Sequence, residues 1–184
     1  DYTSKLKKEF VILDPSDRAE IILQEIKNQA FAQGLELIND PGLLDEVVGL
    51  IEWPVVLIGK IEDRFLSLPP VVLQTAMKEH QKYFSIQNPK NNKVVKFATV
   101  ANRETSDQGL TIISGNQKVL SARLADAKFF WDNDLRIINS SGLGPWSEKL
   151  RNVTFHNKLG SQFERVKRVV NLSEKIAEKI DCDP

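Results

Sequence analysis

An α+β fold with a mixed or antiparallel sheet, packed helices and a helical extension behind them is what this sequence predicts. Three observations lead there. The patterns run helix, helix, strand, helix, strands, helices, so strands do not alternate one for one with helices as in a parallel α/β sheet. The β-branched run Val55 to Ile61 reads as a buried strand. Two alternating stretches, Tyr83 to Ile86 and Val94 to Val100, flank the polar loop Gln87 to Asn92 as a hairpin does.

The elements follow in order. Asp14 is the N-cap and Pro15 the first residue of a helix, with Asp17 and Glu20 at the positive end of its dipole. Ala19, Ile22, Leu23, Ile26 and Ala30 recur at helical spacing, and Gly34 ends the helix. A second helix spans about Gly42 to Ile51, offers Leu43, Leu44, Val47, Val48 and Leu50 for burial, and is stopped by Pro54. Pro69 and Pro70 open a third helix through Met77 to His80. A long helical region covers about Ile112 to Leu135, with Val119, Leu120, Leu124, Ala127, Phe130 and Trp131 available for packing. The Ser- and Gly-rich stretch 139–145 reads as a linker, which sets off an α+β module, 1–138, from a helical remainder, 146–184, broken near Gly160. Phe163, Val166, Val170, Ile176 and Ile180 are its expected buried stripe.

Balanced overall charge hides an asymmetry. Residues 1–77 carry 7 Lys/Arg against 13 Asp/Glu, residues 78–168 carry 16 against 8, and residues 169–184 carry 2 against 4. A basic middle between acidic ends suits one face for an anionic partner, unless these charges scatter around the domain. No apolar run reaches the length of a membrane span, and the first ten residues lack the apolar core of a signal peptide. The missing initiator Met reads as an excised or processed piece. One cysteine, Cys182, and two histidines are too few for a Cys/His zinc site or an internal disulfide, so a cytoplasmic, reducing setting without a bound metal is expected.

No glycine loop for phosphates and no nucleophile elbow is present, and no catalytic residue is assigned. His80 reads either as a base or RNA contact, or as a helix C-terminal histidine favoured by the dipole. His156 reads as a packing or capping residue near Gly160. Glu104 and Asp107, beside Arg103, are acid/base candidates or simply a solvated loop. Trp53 and Trp146, next to prolines, read as core anchors. In Gly115 to Trp131, Lys118, Arg123 and Lys128 can face a polyanion while the apolar residues between them pack. An ordinary amphipathic helix with solvated lysines has the same spacing.

Several blocks occur together in order: Glu52-Trp53-Pro54, Phe65-Leu66-Ser67-Leu68-Pro69-Pro70, His80-Gln81-Lys82-Tyr83-Phe84, Ala101-Asn102-Arg103-Glu104, Gly115-Asn116-Gln117-Lys118, Arg123-Leu124-Ala125-Asp126-Ala127-Lys128-Phe129-Phe130 and Phe155 to Gly160. The set resembles the beta subunit of the bacterial-type, heterotetrameric glycyl-tRNA synthetase, from about Leu44 to the last helix. The resemblance implies a piece of a longer subunit of glycine–tRNA ligase, working with an alpha subunit in an alpha2beta2 assembly on tRNA(Gly). It implies that ATP and Mg²⁺ serve the assembled enzyme and that this part binds no cofactor. It also implies a fold similar to the editing-type module of phenylalanyl-tRNA synthetase, with an HD-like domain and an anticodon-binding domain beyond.

Carried over by motif, Lys82, Arg103, Lys118, Arg123 and Lys128 are the candidates for tRNA contact. His80, Asn102, Glu104 and Asn116 are the candidates for an editing-type pocket, with Asn102 and Asn116 equally able to hold loops. Asp126, three residues beyond Arg123, is placed to pair with it instead. Ser121-Ala122 stands where the family commonly has a basic residue and proline, which puts a cationic contact at Ser121 in doubt. Three roles remain open: tRNA positioning, aminoacyl-ester editing, and bracing of the alpha subunit.

Overall fold

The structure, a computed structural model, describes residues 1–180 and 182. Its contacts divide the chain into two units, Asp1–Phe130 and Trp131–Pro184. The first holds α1 (Tyr2–Lys8), α2 (Pro15–Phe31), β1 (Glu36–Leu37), α3 (Pro41–Leu50), β2 (Val55–Lys60), a 3₁₀ turn (Asp63–Phe65), α4 (Pro70–Gln81), β3 (Phe84–Asn88), β4 (Lys93–Ala101) and the start of α5 (Leu110–Ser141).

Two of the helices, α2 and α3, begin where an aspartate provides a cap. Asp14 accepts from Ser16 N at 2.8 Å ahead of Pro15, and Asp40 accepts from Leu43 N at 3.0 Å ahead of Pro41. Lys82 closes α4 in the left-handed region, at φ 55°. Asp40 has a second task, an ion pair with Lys78 of α4 at 2.7 Å that ties two helices together. The Lys78 ammonium holds the Asp40 carboxyl below its ordinary range, and Asp40 raises Lys78 in return.

The sheet order is β1-β3-β4-β2, antiparallel throughout, so the mixed alternative falls away. Val55↔Ala101 to Lys60↔Lys96 and Phe84↔Ala98 fix the register. In the hairpin loop the side chains of Asn88 and Asn91 accept from the backbone of Lys90 and Lys93, and Asn92 takes the left-handed turn at φ 54°.

Strand alternation sends two sets of side chains to opposite faces. On one face Val56, Phe84, Ile86 and Ala98 meet Ile22, Ile26 and Ala30 of α2 and the Leu43, Leu44, Val47 and Val48 cluster of α3. Each fully buried Ile or Leu there contributes roughly 1.5–3 kcal/mol. Phe97 points the other way and stacks on Tyr83 at 4.6 Å. It passes over Gly59, where a Cβ would lie 2.3 Å from its ring and 3.0 Å from Ile113 of α5. β2, at the rim of the sheet, has two of its outward groups occupied: Gln29 of α2 donates to Val56 O, and Lys60 N donates to Gln117 Oε1 of α5 at 2.8 Å.

Some packing expectations do not hold. On α5 Leu120 and Leu124 are buried, but Val119 and Phe130 are exposed, and so is Leu50 at the end of α3. Trp53 is half-buried against the edge of Phe10, at 5.2 Å.

The second unit holds the end of α5, then α6 (Gly144–Lys149), a 3₁₀ turn (Leu150–Asn152), β5 (Thr154–His156), β6 (Gly160–Ser161) and α7 (Gln162–Ile180). Residues 139–141, placed in a linker from sequence, are helical, and Gly142 turns the chain at φ 64°. The β5–β6 hairpin lies where the helical remainder was expected to break, near Gly160. His156 Nδ1 accepts from Lys158 N at 3.1 Å, a turn-capping role near Gly160. Ser161 and Glu164 form a reciprocal capping box for α7, with Ser161 N donating to Glu164 Oε2 at 2.8 Å and Glu164 N to Ser161 Oγ at 3.3 Å. The expected stripe on α7 is present as a pattern but not as a core: Val166, Val170, Ile176 and Ile180 are exposed, and Ala177 is the buried residue of that helix.

Candidate nucleic-acid interface

α5 is the element that presents the cations of the Gly115 to Lys128 segment, so its entry sets the site. Thr105 and Asp107 build that entry. Thr105 Oγ1 donates to Asp107 Oδ1 at 2.6 Å and accepts from Gly109 N at 2.8 Å, while Asp107 Oδ2 accepts from Thr111 N at 2.9 Å. Hydrogen bonds from Thr105 first, then Thr111, hold the Asp107 carboxyl far below the usual carboxylate range. Of the two readings of Asp107, the acid/base one loses its basis: the group is a fixed anion at the positive end of a helix.

The sign of its pH effect follows. A depressed folded value stabilises the fold above the ordinary carboxylate pKa, about 3.9, and that stabilisation erodes as pH falls towards the lowered value. Asp107→Asn is therefore expected to lower the thermal midpoint at neutral pH, with the gap to the parent narrowing below about pH 4. Calorimetric scans across that range check it, and a gap that widens in acid would refute the capping role.

The five cation candidates do not share one environment. Lys82 is tied down: its Nζ pairs with Glu46 at 2.7 Å and donates to Glu79 O at 3.2 Å. Arg103, in the turn after β4, and Lys118 and Arg123, on α5, are exposed and make no ion pair among the described residues. Asp126 does not pair with Arg123. Lys128 is half-buried. At about 100° per residue, Lys118 and Arg123 lie about 140° apart around α5, while Ser114, Ser121 and Lys128 fall within about 80° of Lys118. One continuous face from all five is thus not what the fold builds.

None of His80, Asn102, Glu104 and Asn116 lines the clefts that stand out on the surface. Asn102 is a brace: its Oδ1 accepts from the backbone N of both Glu52 and Trp53 at 2.8 Å. That bond clamps the end of β4 to the Glu52-Trp53-Pro54 block. His80 is exposed in the last turn of α4, where the dipole favours it. Glu104 is exposed and Asn116 half-buried.

Arg64 went unnoticed in the sequence, because it sits in an acidic stretch and in no motif. Its Nη2 donates to Ser121 Oγ at 3.0 Å, its Nε pairs with Glu62 at 2.8 Å, and its guanidinium lies 4.6 Å from the centre of the Phe65 ring. A positive charge thus stands at Ser121 although the residue itself is neutral. Beside it runs a groove of about 660 Å³, lined by Glu62, Asp63, Ser114, Gln117, Lys118 and Ser121 among others. Among the described residues no group of three or more His, Cys, Asp or Glu is arranged to hold a metal, and no helix is long and apolar enough to cross a membrane.

Comparison with known proteins adds an independent line. The sequence profile of the family described as "Glycyl-tRNA synthetase beta subunit" matches residues 1–183. The "Glycine--tRNA ligase beta subunit" of a Ruegeria species is 61% identical over 184 residues, covering 100% of this chain and 27% of that protein. The proteins of the same description from Dinoroseobacter shibae and Phenylobacterium zucineum are 59% and 47% identical, again over the whole chain and over 25% and 27% of their own lengths. The chain therefore spans about a quarter of the curated relatives it matches.

Proposed function

The chain belongs to the glycyl-tRNA synthetase beta subunit family, and from that premise we propose that it is a tRNA-positioning region of a glycine–tRNA ligase. In this reading an alpha subunit, in an alpha2beta2 assembly using ATP and Mg²⁺, forms glycyl-adenylate. This region holds tRNA(Gly) through its phosphates in the cytoplasm and does no chemistry itself. The observation that carries the reading is Lys118: exposed, without an ion pair among the described residues, and flanked by Ser114 and Ser121 on a helix anchored by Leu120 and Leu124. A fixed cation with hydroxyls beside it, on a rigid support, suits a polyanionic backbone. Lys128 lies towards the same side. Arg103 and Arg123 are secondary contacts, and Lys82 is structural. Ester hydrolysis by His80, Asn102, Glu104 and Asn116 is the weaker reading, since Asn102 is occupied in bracing Glu52 and Trp53.

The test is charge reversal in the assembled enzyme. Lys118→Glu with Lys128→Glu is expected to weaken tRNA binding at least ~10-fold at low salt and to flatten the log–log salt dependence by about one unit per lost phosphate contact. Arg123→Glu alone should do less. Aminoacylation should fall more than glycyl-adenylate formation. Equal loss of both activities, or of neither, would count against RNA positioning.

A further inference from the structure

We propose that the groove between the Asp63–Phe65 turn and α5 is a phosphate subsite, in which Lys118, Ser114 and Ser121 of its lining, together with Arg64 alongside it, which is bonded to Ser121 and Glu62 of that lining, take one phosphate of an RNA backbone in place of the Glu62 carboxylate. The proposal rests on the RNA-positioning reading and adds to it a residue, a geometry and an internal competitor. Arg64 is prepared for an oxyanion. Its guanidinium is fixed from three sides, by Ser121 Oγ at 3.0 Å, by the Glu62 carboxylate at 2.8 Å and by the Phe65 ring at 4.6 Å. Phe65 is itself buried, so the stacking surface does not move. A guanidinium N–H donates to carboxylate and phosphate oxygens alike, so Glu62 Oε2 on Arg64 Nε marks where a phosphate oxygen sits.

The exchange is inexpensive. Glu62 is half-exposed on a short turn, where a solvent-facing ion pair contributes little to stability. Swinging Glu62 into water releases Arg64 and the Ser121 hydroxyl together. The incoming phosphate then gains Lys118 and the Ser114 hydroxyl, which Glu62 does not use. Hydrogen bonding from Ser121 first, then Arg64, keeps the Glu62 carboxyl below its ordinary range, so at neutral pH it is a charged occupant. Gln117 is held apart as wall, its Oε1 accepting from Lys60 N. Asp63, also on the groove, sets a ceiling on affinity and leaves RNA binding dependent on further contacts.

Three variants in the assembled enzyme decide the matter, each followed by tRNA titration across a salt series and by thermal midpoint. Arg64→Ala is expected to weaken tRNA binding by about tenfold and to flatten the salt dependence by about one unit. Glu62→Gln is expected to tighten binding roughly threefold, because the competitor is gone while its shape remains. Arg64→Lys, which keeps the charge without the guanidinium, should fall between parent and alanine, and this separates recognition from folding. Titration with inorganic phosphate alone tests the free-anion source: saturation at micromolar phosphate with tRNA affinity unmoved by any of the variants would overturn the RNA assignment. Weaker or unchanged binding in Glu62→Gln would overturn the displacement. Should Lys118→Glu with Lys128→Glu impair tRNA binding and Arg64→Ala not, the subsite falls and the broader reading survives. Should neither act, both fall.

Discussion

Replacing Gly59 by alanine is expected to destabilise the first unit by about 3 kcal/mol, at the upper end for an overpacked core. The new Cβ would lie 2.3 Å from Phe97 Cζ, 2.5 Å from Cε1 and 3.0 Å from Ile113 Cδ1. Relief by ring movement is blocked, since Phe97 is 0% exposed and stacked on Tyr83. Either β2 must part from β4 or α5 must lift from the sheet. Denaturant unfolding gives the loss, and Phe97→Leu in the same molecule should recover part of it although Phe97→Leu alone is destabilising. A Gly59→Ala protein within ~0.5 kcal/mol of the parent would show that this packing is looser than drawn. Because α5 carries Lys118, tRNA binding should weaken alongside stability.

Gly109→Ala should cost a comparable amount by a composite route. Gly109 turns the chain into α5 at φ 80°, a region that costs residues with a side chain roughly 1–2 kcal/mol. Its Cβ would also stand 2.5 Å from Leu57 Cδ2 and 2.8 Å from Cδ1. Together these predict a loss of about 2–4 kcal/mol. The two parts separate in a cycle with Leu57→Ala: trimming Leu57 removes the clash but not the backbone cost. The double variant should therefore be less destabilised than the sum of the singles, with a residue of about 1–2 kcal/mol left over. Strict additivity would mean that Leu57 already moves aside and only the backbone matters.

Much of the first unit was legible because its signals are local. The Asp14-Pro15 cap, the spacing of Ile22, Ile26 and Ala30, and the alternating strands around an Asn-rich loop each declare themselves within a dozen residues. The two-residue strands β1 and β6 are too short to carry a period. The Ser-Ser-Gly composition of 139–142 hid a helix end, since Ser140 sends its hydroxyl back to Ile137 O and so stays in the helix. On α7 periodicity revealed an apolar side but not what lies against it. The site fared worse for a related reason. Lys118 is a cation wherever it points, but the tie of Lys82 to Glu46 and the placing of Arg64 on Ser121 join residues 36 and 57 positions apart. No local pattern encodes such pairs.

The glutamines at the rim strand have a consequence beyond the single chain. An open strand edge is a template on which another polypeptide can add, and uncontrolled addition leads to swapped dimers or fibres. With Gln29 on Val56 O and Gln117 on Lys60 N, the β2 border offers two fewer vacant hydrogen-bonding groups to a passing stranger. Two amide side chains, one of them on the helix that carries Lys118, thereby leave this border less open to addition by another polypeptide.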